Sequence, residues 1–476
     1  MSFRGTPRVV GSAVAQESLP IVVYSAFVGF LAVLVPQMLG SDGWLALVGG
    51  RFVARHGIPR HDTLAALTSG RDWIDQQWLG QLGTYWLDSV GGIRLVLVVN
   101  VALVAGAFVA AGVFARYRGA QPTTLAAVLL AAVLPYLVTA MNVRTQSFVY
   151  LPFVLLIGLL LRDRPASART AGVALVMLVV WGNVHGSALL AAGLIALRGA
   201  LELRRFRSPT SWVLLLAPWL CLLVSPYHVH LVSYYHRTAF NSSFATYLSQ
   251  WAPTTFSPIA APLLVLVFAT VWMLGRSGSS YTAYERWLLA IAVLLALLAV
   301  RNWAFASLLL VMLAPPGFDR ALRTGPPRPA PTVGAVIALV AAIGALVGIT
   351  GALGADPADL TRNYPAGVAR AAAAAGSRPD ARIYAGIQFG DWLLWTYPEL
   401  AGKVVFDVRY ELLHDSEVKR LVLFDSGSRA DDPLGRPTEY VLDPDIQGAA
   451  VTGLPSDVRT VYKTDHAVVA VVPNGQ

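Results

Sequence analysis

Apolar residues run through the first three quarters of the chain in stretches of helical length. They then give way to an ordinary mixed pattern. The apolar runs cover residues 19–39, 93–114, 123–140, 148–161, 171–181, 187–197, 212–224, 260–274, 287–300, 304–313 and 333–353. Runs of this kind predict membrane-crossing helices, about eleven in all. The first is too long for a signal-peptide core and lacks a small-residue cleavage site, so it is expected to be a retained helix. Some runs are short: 287–300 has 14 residues, about 21 Å of helix against a hydrocarbon core of about 30 Å. The two runs flanking Asn183 and His185 share this shortness. Either such pairs are hairpins whose polar tips sit inside the outer half of the membrane, or each pair is one long helix, which lowers the number of crossings to about nine.

Beyond residue 355 the period changes. Residues 365–375 and 390–397 read as helices, and 382–385, 403–408, 439–442, 458–463 and 467–472 as strands. This predicts a small α/β domain. The chain therefore divides into a transmembrane domain, 1–354, and a soluble domain, 355–476. Residues 315–331, rich in Pro and Arg, read as a linker, and 355–360 as a hinge.

Composition agrees. Of 476 residues, 56% are hydrophobic and 13% charged, and the mean hydropathy is +0.58. A disordered chain, a fibre and an ordinary cytosolic enzyme are excluded. The single cysteine, Cys221, leaves no internal disulfide and no cysteine-ligated metal centre. The net charge of +9 splits into +14 for residues 1–354 and −5 for the rest. This asymmetry fits topology better than nucleic-acid binding. Arg4/Arg8, Arg116/Arg118, Arg162/Arg164/Arg169, Arg204/Arg205/Arg207, Arg276/Arg286 and Arg320/Arg323/Arg328 fall in one alternate set of loops. The positive-inside rule makes that set, and the N-terminus, cytoplasmic. The other loops and the C-terminal domain face outward, as expected of a multi-pass protein of the plasma (inner) membrane.

The first outer loop, 41–92, carries Asp42, Asp62, Asp72, Asp75 and Asp88. Trp44, Leu45, Leu47, Val48, Phe52 and Val53 fit a helix lying in the interface, and Trp78, Leu79, Leu82, Tyr85 and Trp86 repeat that pattern. Asp42 stands where the chain leaves the bilayer. It is either a helix cap or a carboxylate facing a cavity. Polar residues recur at the other outer helix ends: Asn142/Arg144/Gln146, Asn183/His185, His228/His230 with their tyrosine neighbours, and Arg301/Asn302. Arg144 and Arg301 interrupt apolar runs. Each needs an anion, whether a first-loop aspartate or a lipid phosphate. His228 and His230 fit interfacial hydrogen bonding better than a metal site, as no carboxylate lies in their loop. Asp391/Trp392 and Asp407/Arg409 are the polar-aromatic features of the second domain. Asp391 and Trp392 read either as a helix cap with a core tryptophan or as binders of an acceptor sugar by hydrogen bonding and stacking, and Asp407/Arg409 as an ion pair at a strand end.

The order of these features resembles the GT-C superfamily of membrane glycosyltransferases. GGRFVARHGIPRHD (49–62) looks like the G-x-x-h-G-x-x-P-x-x-D segment of bacterial members, and TSGRDWIDQQWLGQL (68–82) is similar to the segment that follows it. NVRTQSF, WGNVHGSALL, SPYHVHLVSYY and RNWAFASLLL are similar to outer helix ends of one bacterial branch. The resemblance covers most of residues 19–315. It implies a GT-C-like helical membrane protein that moves a sugar from a polyprenyl-phosphate donor to an envelope glycan, lipid or protein acceptor, surrounded by membrane lipids and without nucleic acid. It places Asp42 as the general base, and Arg301, Arg144 and His185 at the donor phosphate. Asp62, Asp75, Trp78, His228, His230 and Asn302 are left as substrate-binding candidates. No cofactor is implied with certainty, and nothing indicates a divalent metal. Gly43 stands where better-known members often carry a second acid. A non-catalytic scaffold and a lipid-linked glycan flippase are the alternatives.

Overall fold

The computed structural model describes residues 15–139, 142–162, 165–238, 241–325, 332–428, 432–454 and 456–473. Arg4, Arg8, Arg164 and Arg328, used in the charge sorting, and the end of the 315–331 segment lie outside them. The larger part is a helical bundle: α1 (Ser18–Leu34), α2 (Ser41–His56), α3 (Trp78–Tyr117), α4 (Pro122–Thr139), α5 (Ser147–Arg162), α6 (Ala168–Val184), α7 (Ala188–Phe206), α8 (Pro209–Leu222), α9 (Leu231–Thr238), α10 (Ser242–Tyr247), α11 (Ala261–Ser277), α12 (Ala283–Leu298), α13 (Trp303–Leu322) and α14 (Thr332–Gly354). The remainder comprises α15 (Pro357–Leu360), α16 (Ala366–Ala375), β1 (Ile383–Ala385), α17 (Ile387–Thr396), α18 (Asp415–Asp425), β2 (Glu439–Leu442), α19 (Gly448–Thr452), β3 (Arg459–Lys463) and β4 (Val468–Val471).

Each of the eleven apolar runs lies in a helix of its own. Five helices among the described residues are long and apolar enough to cross a membrane, and four more are apolar but shorter. Neither short pair merges. The chain turns extended at His185 (φ −160°) between α6 and α7 and at Ala299 (φ −162°) between α12 and α13. The members of each pair pack against each other. Helix α13 is buried along its whole length, whereas α14 touches chiefly α1 and leaves Val333, Val336, Leu339 and Val340 more than half exposed. A helix apolar all round and covered on one side only is stable in lipid and not in water.

Three expectations are corrected. The 315–331 segment does not begin as a linker, because α13 continues through buried Pro315 and Pro316 to Leu322. Prolines remove backbone donors and disturb the preceding turn. Side chains of the preceding segment hold this stretch: the Tyr281 hydroxyl donates to the Leu313 carbonyl (2.6 Å) and the Ser277 hydroxyl to the Gly317 carbonyl (3.2 Å). The 355–360 segment is no free hinge. Asp356 caps α15 through the Ala358 amide (2.8 Å), Leu360 is buried, and Arg94 donates to the Ala355 carbonyl (2.6 Å). Finally, α2 does not rest its apolar side on an interface. Trp44, Leu45, Leu47 and Val48 are buried against α3 and α17, and Trp44 meets Tyr364 edge-on at 5.1 Å. The second stretch expected to be interfacial, 78–86, forms the first turns of the 40-residue α3, which bends at Gly91 and Gly92, the latter with φ +64°.

The second domain holds a four-stranded sheet in the order β1-β2-β4-β3. β1 and β2 are parallel, and the other pairs antiparallel. Residues 403–408, expected to be a strand, only bridge to Ile383. Their other edge is taken by the first loop: the Ala66 amide donates to Val404 (2.7 Å) and the Leu67 amide to Val405 (3.0 Å). That loop thus acts as an added edge of the domain's sheet.

Charges complete the docking. Arg71 forms a two-pronged pair with Glu417 (2.7 and 2.8 Å), and Arg51 donates to the Leu394 and Trp395 carbonyls (2.6 and 2.8 Å). Arg409, buried to within 1% at its side chain, is clasped by Asp407 and by Asp62 (2.7 Å) and lies over the Trp73 ring at 4.1 Å. The two domains therefore share buried charge as well as apolar surface.

Candidate functional site

Five polar helix ends and the second domain converge at one end of the bundle. The Val143 amide donates to Met38 (2.8 Å), which brings residues 142–147 beside the start of α2. Trp78 Nε1 donates to Asn183 (2.9 Å), and Asn183 donates on to the Val224 carbonyl (2.8 Å). The Tyr235 hydroxyl donates to Gly186 (3.0 Å), and the Arg301 amide to Gln250 (2.9 Å). Gly80 is required here, since a Cβ on it would come within 3.0 Å of the Val184 carbonyl.

Asp42 is not a cap. It occupies the first turn of α2, whose N-cap is Gly40, and makes no capping bond. The positive end of that helix favours a carboxylate there. Its Oδ2 lies 2.9 Å from Arg144 Nε, an ion pair too oblique for a straight hydrogen bond. Of the two partners offered by the sequence for Arg144, the first-loop aspartate is the one it meets. The Asp42 side chain keeps 39% of its surface exposed, so one face remains open to a ligand.

Arg301 is different. Its guanidinium sits over the Trp251 ring at 3.7 Å. Arg144, Tyr234, Asp42 and Tyr150 are the ionisable groups that act on it electrostatically. None forms an ion pair with it, and Arg301 has no side-chain hydrogen bond among the described residues. His185 is buried and feels both arginines, with its Nδ1 turned to Ser187 (2.8 Å). Asp42, Arg144, His185 and Arg301, distant in sequence, thus lie within electrostatic reach of one another.

The remaining candidates separate. Asp62 is sealed beneath Arg409 and accepts from the Leu64 amide (2.9 Å) and the Thr68 hydroxyl (2.5 Å); it serves docking and faces no cavity. Asp75 is buried and accepts from the Gln77 amide (3.0 Å) and Gln81 Nε2 (3.1 Å), while its Oδ2 has no partner. Burial pushes its carboxyl up to about 7. Trp78 is spent on Asn183. Asn302 is half-buried beside Arg301. His228 and His230 are exposed, and no third metal-binding side chain converges on them among the described residues.

The second domain supplies what the sequence reading passed over. Glu411, half-buried, acts electrostatically on Tyr227 and Tyr234 from one side and feels Asp42 and Asp407 from the other. It has no ion-pair partner among the described residues. Tyr227 and Tyr234 meet at 4.7 Å with their planes tilted by 36°, and Tyr227 is buried. Asp391 is not a helix cap: it lies fully buried inside α17, whose N-cap is Gly386, and accepts from the Val408 amide (3.2 Å), while Trp392 is core, packed on Tyr364. Burial beside Asp407 holds the Asp391 carboxyl well above the usual carboxylate range. Asp407 and Arg409 form the expected ion pair, extended to Asp62.

No family model matches the chain, and no curated protein matches it. Among solved structures it is similar to the crystal structure of ArnT from Cupriavidus metallidurans in the apo state, at 14% identity and a TM-score of 0.48 over 96% of this chain and 99% of that one. It is also similar to the same protein bound to undecaprenyl phosphate, at 16% identity and a TM-score of 0.41 over 96% and 98%.

Proposed function

We propose that the protein is a GT-C-type glycosyltransferase of the plasma membrane, with the domain-bearing end facing outward. It transfers a sugar from a polyprenyl-phosphate donor to an envelope acceptor. The observation that carries this reading is Arg301: a half-buried cation with no ion-pair partner among the described residues, acted on electrostatically by Asp42 and Arg144, at a bundle end built from polar helix tips. A cation so placed needs an anion from outside the chain. A lipid phosphate lying at membrane depth is the anion that reaches it by diffusion in the bilayer.

The chemistry then assigns itself. Asp42 takes the proton from an acceptor hydroxyl as that oxygen bonds to the sugar's anomeric carbon. The bond from that carbon to the phosphate oxygen breaks, and its electron pair leaves on the polyprenyl phosphate. Arg301, with Arg144, stabilises the charge that develops there. Arg144 also holds Asp42 in place before the reaction. The candidate site residues gather at one end, whereas a flippase needs polar groups along the path of its cargo.

The test is envelope glycan and polyprenyl-lipid analysis of a host lacking the gene, complemented with wild type or Asp42→Asn at matched membrane levels. Loss of a sugar with accumulation of a donor lipid, reversed by wild type alone, is the expected result. Full rescue by Asp42→Asn sinks the transferase reading in favour of a scaffold.

A further inference from the structure

A groove stays open on the bundle where α14 does not close against α3. Its walls are Val28 and Ala32 of α1, Leu97, Val101 and Ala105 of α3, and Ile349 of α14, and it encloses about 260 Å³. Ala102, which also lines it, is exposed, so the groove opens sideways on the bundle surface. Arg94 is the only charged side chain of the lining among the described residues, and Leu360 of α15 joins it there. The depth of Arg94 follows from its neighbours. Trp86 and Val90, on the arm of α3 before the bend at Gly91 and Gly92, are 58% and 82% exposed. An exposed tryptophan on a membrane helix belongs at the headgroup level. Arg94 comes directly after the bend, where the hydrocarbon begins. Its Nη2 donates to the Ala355 carbonyl (2.6 Å), and its Nε is buried without a partner. No carboxylate pairs with it among the described residues.

We propose that this groove holds one acyl chain of an anionic glycerophospholipid, whose headgroup phosphate rests on Arg94. Along α3 the lining runs from Arg94 to Ala105, about 16 Å of helix, against about 15 Å for half of a hydrocarbon core of about 30 Å. The groove is therefore one leaflet deep, from the headgroups to the midplane, which is the reach of a single acyl chain. A polyprenyl chain is far longer than one leaflet and carries a methyl branch on every unit. Ala32, Ala102, Ala105 and Ala352 make a narrow bed suited to an unbranched chain. A guanidinium holds phosphate through charge-assisted hydrogen bonds, and a lipid of net negative charge complements an arginine that no acid in its surroundings answers. The same arginine ties down Ala355, so the bound lipid braces the joint where α14 enters the second domain. The proposal does not depend on the transferase reading, because none of the reacting groups lines the groove.

The experiment uses the full chain, purified in detergent as wild type, Arg94→Gln and Ala102→Phe. Ala102→Phe fills the open side of the groove and leaves Arg94 and its bond to Ala355 in place. Each protein is stripped by prolonged detergent exchange, and its retained lipid is quantified by mass spectrometry. Phosphatidylglycerol, phosphatidylcholine or undecaprenyl phosphate is then titrated back while Tm is followed. Wild type is expected to retain an anionic phospholipid in equimolar amount and to gain Tm as phosphatidylglycerol is added. Arg94→Gln is expected to weaken that binding about tenfold to a hundredfold, the loss of a charge-assisted hydrogen bond. Ala102→Phe is expected to abolish retention while keeping the lipid-free Tm of wild type. Equal retention by all three proteins overturns the proposal, because the lipid is then only the surrounding bilayer. A gain from phosphatidylcholine as large as that from phosphatidylglycerol overturns the anionic assignment. Tighter binding of undecaprenyl phosphate than of phosphatidylglycerol, lost in Ala102→Phe, overturns the phospholipid assignment. Should Arg94→Gln not fold for want of its bond to Ala355, wild-type retention by Ala102→Phe still overturns the proposal.

Discussion

The two ends of the bundle treat charge in opposite ways. At the end away from the second domain, Arg116 pairs with Glu17, Arg118 with Glu285 and Arg198 with Glu202. Asp319 accepts from the Gln121 amide (2.7 Å) and the Thr124 hydroxyl (2.5 Å). Every one of these charges is answered from within the chain, and all but the Arg198–Glu202 pair, which lies within α7, tie two segments together. At the domain-bearing end, Arg301 and Glu411 have no ionic partner among the described residues, and Asp42 keeps an open face. Leaving a charge uncompensated at membrane depth is unfavourable. The domain-bearing end also has ion pairs, Asp42 with Arg144 among them, so the contrast rests on Arg301, whose lack of an ionic partner among the described residues fits the proposed binding of an anion from outside.

Removing a charge therefore has different consequences at the two ends. Arg301→Ala is expected to lower transfer about a thousandfold, near 4 kcal/mol of transition-state stabilisation, with a nearly unchanged Tm, since a half-buried cation without an ion pair among the described residues is removed. Arg118→Ala is expected to do the reverse. It orphans the buried Glu285, destabilises by about 3 kcal/mol, and leaves the KM of the surviving folded protein untouched. Transfer assays beside thermal unfolding in detergent distinguish the two. If both variants lose stability alike, the contrast between the ends is not functional.

Arg409→Met tests the joint between the domains. Asp62 and Asp407 lose their shared cation and remain buried. The expected cost is about 3 kcal/mol of docking, read as faster protease release of residues beyond 360. Unaltered protection would mean that the sheet extension by residues 66–67 suffices alone.

These examples also mark what the sequence could and could not disclose. Each apolar run became a helix, because the need for about twenty residues of lipid-compatible helix is written into composition. Asp42, Arg144, His185 and Arg301 were legible for a related reason: a charge that interrupts an apolar run stands out. Asp62 and Glu411 do not lie where their sequence positions suggest. Asp62 lies in the loop that seemed to face substrate, yet is sealed by Arg409. Glu411 belongs to a polar domain, where one more acid carries no signal of depth. Tertiary docking decided both, and no local pattern encodes it. Pro315 and Pro316 misled in the same way, because Tyr281 and Ser277 come from another segment.

Asp75 gives a smaller effect with a definite sign. Its carboxyl stands near 7 in the folded protein against an ordinary 3.8, through burial first, and against the Gln77 amide that favours the charged form. Between about pH 4 and pH 7 the folded state holds a proton that the unfolded chain has released, so stability declines as pH rises through that window and levels off above it. Asp75→Asn keeps an acceptor for Gln77 and Gln81, and places an amide at the unpartnered Oδ2. Its Tm is expected to be nearly flat from pH 5 to pH 8, with a gain over wild type of about 1–2 kcal/mol at pH 8. A wild-type Tm that rises over this range contradicts the assignment.

The weakest expected effect bears hardest on the comparison. His228 and His230 lie at the domain-bearing end but are exposed, and His228 Nδ1 meets only the Leu223 carbonyl at 3.2 Å. They follow Tyr227 in the chain without facing a buried charge. His228 also has φ +45°, a conformation that asparagine tolerates better than most residues. The double variant His228→Asn, His230→Asn should therefore keep its Tm, change stability by less than about 0.5 kcal/mol, and transfer at the wild-type rate. A large loss of transfer at unchanged Tm would mean that these imidazoles touch the acceptor. Uncompensated burial would then be too narrow a mark of the site, which would extend along the loop to solvent.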